Sequence, residues 1–400
     1  MEVTDVQYKE SEIGVIPVDW NVKKISDFSK PVRGGSPRPA GSPLYFNGDY
    51  IPWLTVAALT NISSSQIFVS ETEGFLTQLG SEYSRTLEKD TLIIANSGAT
   101  LGVAKLLAIK CCANDGIAAL NNFSREVDKA YVVYYINSIT QKLREVVATG
   151  NGQPNLNTTL IGDLRIPLPP TKSEQTAIAT ALSDTDALIE NLEKLIAKKR
   201  NIKQGVMQEL LKPRNGWGIK KLGDFIRLQT GFPFSSEYFS DNPKGQRLIK
   251  NRDLRSDDSI VYYSGDYAKE FIVQNDDLLI GMDGDFEPVL WKKGNALLNQ
   301  RVGRVLKIKE ISIPFLSFTL LKELKEIEVR TSSTTVKHLS HFDINKIEMP
   351  LPNFEKQNHI ATILTDMDAD IYALEKKLNK IKQIKQGMMQ TLLTGKIRLV

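Results

Sequence analysis

The sequence predicts an α+β chain that uses one plan twice: two mixed α/β domains related by internal duplication, separated by a pair of long antiparallel coiled-coil-like helices with pseudo-twofold symmetry. Three observations predict it. Residues 178–211 repeat at 360–393 with 20 identities in 34 positions and no gap. Both copies carry apolar residues at heptad spacing. The stretches ahead of each copy mix short β-like runs with Gly, Pro, Asn and Ser turns.

Length and composition bound the rest. A chain of 400 residues with 41% hydrophobic and 24% charged residues is globular and long enough for two or more domains. Its net charge of +4 permits a nucleic-acid partner without requiring one. The only cysteines, Cys111 and Cys112, are adjacent, so they form neither a loop-closing disulfide nor a spaced zinc set, and a reducing cytoplasm is the expected location. No apolar run approaches the roughly 18 residues of a membrane span, and residues 1–16 lack the basic and apolar regions of a secretory leader.

The duplication reaches beyond the helical segment. Trp20-x-x-Lys23-Lys24-x-x-Asp27-Phe28 matches Trp217-x-x-Lys220-Lys221-x-x-Asp224-Phe225, and Gly34 falls on Gly231, all at an offset of 197. The offset then shrinks: Asp90 pairs with Asp276 at 186, Asn114 with Asn299 at 185, Leu156 with Leu339 at 183 and the helical copies at 182. Most of that loss, 11 residues, falls between Gly34 and Asp90. Each helical copy follows a Pro-Leu-Pro entrance, 167–169 and 350–352. The predicted parts are a first domain over 1–165, a first long helix over 166–212, a second domain over 213–346, and a second long helix with the C-terminal tail over 347–400.

In the first helix the apolar seam runs Ile178, Leu182, Thr185, Ile189, Leu192, Ile196 and then Ile202, Val206 and Leu210. In the second it runs Ile360, Leu364, Met367, Ile371, Leu374, Leu378, Ile381 and less regularly Ile384, Met388 and Leu392. About 35 residues at 1.5 Å rise make each helix roughly 50 Å long, and the simplest cover for each stripe is the other copy. Acids (Asp184, Asp186, Glu190; Asp366, Asp368, Asp370) lie toward the N-terminal ends. Bases (Lys198, Lys199, Arg200, Lys203; Lys380, Lys382, Lys385) lie toward the C-terminal ends, which suits each macrodipole and sets acid against base in an antiparallel pair. The alternative is that these are simply solvated faces. Gly205 and Gly387, one in each copy, are read either as sites of close backbone approach or as tolerated weak points.

In the domains, strands are expected over Thr91–Ala95, Val103–Ile109, Leu278–Ile280 and Val302–Ile308. Each domain has one internal helix. Val132, Ile136, Ile139, Leu143 and Val147 line it in the first; Leu316, Leu320, Leu324 and Ile327 line it in the second, with Pro314 at its first position.

No catalytic constellation emerges. There is no Gly-x-x-x-x-Gly-Lys-Ser/Thr or Gly-x-Gly-x-x-Gly loop, no Asn/Asp-Pro-Pro-aromatic sequence of an amino methyltransferase, and no cluster at metal-ligand spacing around His338, His341 and His359. Glu323-x-Lys325 lacks a Pro-Asp partner and reads as chance. Asp283, Asp285 and Glu287 read as a polar turn before a cation site. The expectation is therefore no catalytic residue, no metal and no cofactor held by this chain.

Residues 17–165 hold 14 bases and 13 acids, and 213–346 hold 21 and 18, so any basic surface is local. The best nucleic-acid candidates are four loops: Arg33, Gly34, Gly35, Ser36 and Arg38; Asn151, Gln153 and Asn155; Lys250, Asn251, Arg252 and Arg255; and Arg330, Ser332, Thr334, Thr335 and Lys337. Arg suits guanine, Asn or Gln suits adenine, and small hydroxyls suit phosphate. Each loop has an ordinary-surface alternative, but the Asn/Gln and Thr-rich loops occupy equivalent positions in the repeat. For the helices, the seam and docking candidates are Ile178, Leu182, Ile189, Leu192, Gly205, Ile360, Leu364, Ile371, Leu374 and Gly387.

The duplicated Trp-x-x-Lys-Lys-x-x-Asp-Phe entrance, the Ile-Pro-Leu-Pro-Pro-x-x-x-Glu-Gln stretch at 166–175 and the two Lys-Gln-Gly-x-Met-Gln-x-Leu-Leu helix ends resemble the specificity subunit of type I restriction-modification systems. The resemblance spans nearly the whole chain from Pro17. The second entrance departs from it, reading Met-Pro-Leu-Pro-Asn-x-x-Lys-Gln. It implies two target recognition domains, each reading half of a split asymmetric site in double-stranded DNA, held apart by the helices. It also implies two methyltransferase subunits, with S-adenosylmethionine, docked on helices and domains, and two restriction/motor subunits using ATP and Mg2+. The competing readings are a non-enzymatic coiled-coil scaffold for protein partners and a specificity subunit of a differently organised system.

Overall fold

The short β-like runs of each half pair as two small sheets with matching strand orders. The computed structural model describes residues 7–147, 155–330 and 337–399. Its two compact units are Met1–Leu195 with Leu374–Val400, and Ile196–Ala373. The long helices therefore contribute to both units. In the first unit one sheet runs Lys30–Arg33, Ile117–Asn121, Leu92–Ala95, Ala104–Leu107 and Phe68–Val69. The second unit repeats the first four strands as Ile226–Thr230, Val302–Lys307, Leu278–Gly281 and Pro288–Leu290.

The other sheet of the first unit runs Gly74–Leu76, Phe46–Leu54, Cys111–Ala113 and Arg85–Leu87. Its counterpart runs Val261–Tyr263, Gln246–Ile249, Ala296–Leu298 and Ile272–Val273, with Phe239–Ser240 added at one edge. The central pair of each is parallel. Strands Leu92–Ala95 and Leu278–Gly281 are buried at every residue, which is why they read as continuous apolar runs rather than alternating ones. Cys111 and Cys112, neighbours on one strand, enter different apolar clusters as free thiols, and burial pushes the Cys111 thiol up to about 12.

Each unit closes its start against its end in the same way. Asn21–Lys24 pairs with Arg165–Leu168, and Gly218–Lys221 with Glu348–Leu351. Trp20 lies edge-on to Tyr131 at 6.5 Å and Trp217 to Phe315 at 6.4 Å. Gln175 accepts from the Asp128 amide and donates to the Pro169 carbonyl; Gln357 accepts from the Ser312 amide and donates to Pro352. One glutamine thus ties each long helix to an internal helix and to the Pro-Leu-Pro strand. The second copy keeps this residue although its entrance departs from the motif. Buried Glu174, replaced by Lys356 in the second copy, instead receives Arg398 of the C-terminal tail, which also bonds Asp19.

The internal helices differ from expectation in detail. The first internal helix is two helices, Lys129–Ser138 and Thr140–Val147, and Tyr131–Ile136 is buried at all six positions rather than along one stripe, because it is covered by both the sheet and the long helix. The second internal helix, Ile313–Arg330, buries Leu316, Leu320 and Leu324 as expected, with Pro314 at its second position.

The long helices are Lys172–Leu210 and Phe354–Leu392, 39 residues each, or about 58 Å. Their pairing is antiparallel in each unit. In the first, Asp186 meets Lys385 at 2.5 Å, Glu193 meets Lys382 at 2.6 Å and Thr185 reaches the Met388 sulfur. In the second, Lys199 meets Asp370 at 2.7 Å and Lys203 meets Asp368. Ile178, Leu182, Ile189, Leu192, Ile360, Leu364 and Ile371 are buried, and Leu374 is half-buried. The stripe is narrower than the heptads suggested, for Ile202 and its repeat partner Ile384 are exposed. Gly205 and Gly387 are also exposed, and a Cβ at either would meet nothing within 4 Å. Neither makes a close approach within this chain, so both lie outside the seam.

The first unit buries a polar cluster beneath this pair. Lys105 is 2% exposed and donates to the carbonyls of Ser63 and Gln66. Burial lowers its pKa to about 8, against the opposing pull of Asp186. Asp186 accepts from the Tyr134 hydroxyl at 2.9 Å, and burial raises its carboxyl above the usual range despite Lys385.

Candidate nucleic-acid interface

Backbone hydrogen bonds assemble the same loop junction in both units. In the first, the Gly34 and Gly35 amides bond the Ile117 and Ala113 carbonyls, the Asn96 amide bonds Gly116, and the Leu156 amide bonds Asn96. In the second, the Gly231 and Phe232 amides bond Val302 and Leu298, the Met282 amide bonds Arg301, and the Leu339 amide bonds Met282. The isolated bridge Ser97–Asn155 recurs as Asp283–His338. A Cβ at Gly34 would collide with the Asn114 carbonyl, and one at Gly231 with the Asn299 carbonyl. That close approach, and not a turn conformation, is what requires glycine there. Strand-leading Asp90 and Asp276 share a left-handed φ, 62° and 73°.

On this frame the side chains differ. In the first unit Asp115 is the centre. Its carboxylate accepts from the Ser36 hydroxyl at 2.7 Å and lies 3.7 Å from Arg33 and 3.8 Å from Arg38. Its backbone carbonyl accepts from Arg33 Nε and from Asn96. The Ser36 hydrogen bond, with help from its own amide and the two arginines, holds the Asp115 carboxyl below its ordinary range against the effect of burial.

In the second unit Asp283 takes Arg301 at 2.5 Å and His338 Nδ1 at 2.7 Å. The Asp283 carbonyl accepts from the Asn251 side chain, and the Lys337 carbonyl from the Gly284 amide. Beside it, Arg255 pairs with both Asp285 and Glu287, which raises the Arg255 pKa and lowers that of Asp285. His341 Nε2 hydrogen-bonds the Thr230 hydroxyl at 2.6 Å, next to Gly231.

Of the candidate loops, Arg33, Gly34, Gly35, Ser36 and Arg38 join Asn155 at one junction, and Asn251, Arg255 and Lys337 join at the other. Lys250 lies over the Phe239 ring, Arg252 bonds Ser259 and Arg330 bonds Glu326, all away from the junction's centre. Asn151, Gln153, Ser332, Thr334 and Thr335 lie outside the described residues. The residues that sequence reading missed are Asn96, Asp115 and Arg301. In the sequence Asp283 reads as part of a polar turn and His338 as a histidine outside any metal-ligand cluster. Local spacing does not reveal them, because Asp115 is 79 residues from Ser36 and His338 is 55 from Asp283. The Asp283, Asp285 and Glu287 cluster is occupied by Arg301, His338 and Arg255. Among the described residues no group of three or more His, Cys, Asp or Glu is placed to hold a metal, and no helix is long and apolar enough to cross a membrane.

The model of the type I restriction modification DNA specificity domain matches this chain twice, over residues 17–199 and 214–386. The chain belongs to that family. A relative across the full length is the type I restriction enzyme MjaVIII specificity subunit of Methanocaldococcus jannaschii, 25% identical over 98% of this chain and 96% of that protein. The EcoBI specificity subunit of Escherichia coli is 32% identical over 47% of this chain and 41% of its own. The crystal structure of the type I S subunit from M. genitalium shares the fold, with a TM-score of 0.66 at 17% identity over 98% of both chains. A chain from a structural study of complex assembly and conformational transition of the type I R-M system superposes at 0.53 with 14% identity, over 96% of this chain and 99% of that one. The specificity domain thus occurs in this chain as two copies in tandem.

Proposed function

We propose that this chain is the DNA-recognising, non-catalytic subunit of a type I restriction-modification complex. Each unit reads one half of a bipartite asymmetric site, and the long helices set the gap between the halves and dock two methyltransferase subunits. The observation that carries this reading is the pair of loop junctions: one backbone frame, bearing different charged and amide side chains in each unit. A duplicated reader of a symmetric site would need the same side chains twice. The near-neutral domains fit a division of labour in which partner subunits supply most phosphate contacts and this chain supplies the choice of bases. S-adenosylmethionine, ATP and Mg2+ belong to the methyltransferase and restriction/motor partners.

Methylome sequencing of cells with and without this chain tests the reading. Loss of one bipartite methylated motif is expected, whereas an unchanged methylome would support a scaffold instead. Deleting one heptad from each long helix should alter the unspecified gap and leave both half-sites intact. Altered half-sites would mean that the helices are not the ruler.

A further inference from the structure

We propose that Asp115 in the first unit and Asp283 in the second are specificity-positioning residues, each holding arginine forks for the half-site that its unit reads: Arg33 and Arg38 at Asp115, and Arg301 at Asp283. The inference rests on the DNA-reading function and assigns it to particular side chains.

The geometry separates these arginines from others nearby. At both junctions the carboxylate is the more sheltered partner: the Asp283 side chain is 15% exposed against 63% for Arg301, and Asp115 is 39% exposed against 54% and 73% for Arg33 and Arg38. The Asp283 carboxylate hydrogen-bonds one side of the Arg301 guanidinium, while the Asp115 carboxylate draws Arg33 and Arg38 by charge at 3.7 and 3.8 Å, with Arg33 Nε also held by the Asp115 carbonyl; in each case outer donors face solvent. A guanidinium has five donors, and among the described residues Arg301 commits its side chain to Asp283 alone. A free arginine would lose rotamer freedom on meeting a base; a tethered one has already lost much of it. Arg255, by contrast, is held between Asp285 and Glu287. Its charge is overmatched, which makes it a poor reader despite its place at the junction.

The two anchors occupy different places in the repeat. Asp115 follows the strand Cys111–Ala113, and the repeat offset puts Gln300 at its position in the second unit. Asp283 follows Leu278–Gly281, and its counterpart in the first unit is Ser97. The forks therefore stand at different points of one frame and address different base positions. Arg to guanine O6 and N7 is the pairing such a fork favours.

The test uses the chain assembled with its methyltransferase partner, with the methylated motif and competition binding on randomised sites as readouts. Asp283→Asn keeps the shape of the side chain, and Arg301→Gln alters only an exposed one. Both should relax or change one half-site, lowering its base preference at one or more positions by about tenfold, with the other half-site and the gap unchanged. Asp115→Asn and Arg38→Gln should act on the opposite half-site only. Four variants that keep the wild-type preferences, or that lose methylation evenly over all sequences as phosphate contacts would, overturn the assignment. A wild-type complex with no bipartite motif at all would overturn the functional reading together with it, so the two failures are distinguishable.

Discussion

In the first unit the carboxylate at the loop junction stands on the turn at Asp115 and gathers Ser36, Arg33 and Arg38; in the second it stands at Asp283 and gathers Arg301 and His338. The backbone bonds around them correspond one to one, from Gly34–Ile117 and Gly231–Val302 to Leu156–Asn96 and Leu339–Met282. Main-chain bonds are indifferent to side-chain identity, so the frame survives divergence. Side-chain bonds at its rim are free to change. The three histidines sharpen the contrast, since all lie in the second unit.

The units also differ in how firmly each duplicated element is buried, and mutations at equivalent sites measure that difference. The largest effect is expected at the entrance tryptophans. Trp20 is fully buried, so Trp20→Ala should cost about 3–5 kcal/mol. Half-buried Trp217, which packs at the border of its core, should cost less than half as much. Denaturant unfolding of both variants checks this, and equal losses would mean that the entrances are equally anchored.

The helix pair offers the second contrast. Asp186 and Lys385 are 5% and 15% exposed, whereas Asp370 and Lys199 are 64% and 39% exposed. Asp186→Ala leaves Lys385 and the Tyr134 hydroxyl without their acceptor in a sheltered site and should cost about 3 kcal/mol. Asp370→Ala should cost under about 1 kcal/mol. Similar values for the two would show that the first unit's pair is more hydrated than its burial indicates.

The smallest effect is a pH dependence confined to the first unit. Lys105 has its folded pKa depressed to about 8 from 10.5, so across that window the unfolded chain binds more protons and stability rises with pH. Below about pH 8 the buried charge is a standing cost, offset by its two carbonyl bonds and by Asp186. Thermal unfolding followed from pH 7.5 to 9, below the range where the raised Cys111 thiol pulls the other way, should show the first unit gaining about 1 kcal/mol relative to the second, and Lys105→Met should remove the slope. A slope that persists in the variant would assign it to another group.

Much of this was legible in the sequence because repetition is a long-range signal written in one dimension. The shrinking offsets from 197 to 182 marked Asp90 and Asp276, Asn114 and Asn299, and Leu156 and Leu339 as equivalent, and each pair occupies matching backbone positions. The strands Leu92–Ala95 and Val302–Lys307 were visible as apolar runs. The break at Ile139 was not, since the apolar spacing of Val132, Ile136, Ile139, Leu143 and Val147 runs through it without interruption. The junction was half visible. Arg33, Ser36 and Arg38 stand together in a polar loop, but their partner Asp115 is one aspartate among many until folding carries it across some 80 residues.

The sequence by itself determined the duplication, the two long amphipathic helices and the family, because heptad periodicity and repeated motifs are written along the chain and need no folded partner to be read. Only the tertiary structure decided which charges meet. It set Asp186 against Lys385, left Ile202, Ile384, Gly205 and Gly387 facing outward, and brought Asp115 and Asp283 beneath their arginines. An ion pair is a relation between surfaces distant in the chain, and its strength depends on burial that only packing supplies.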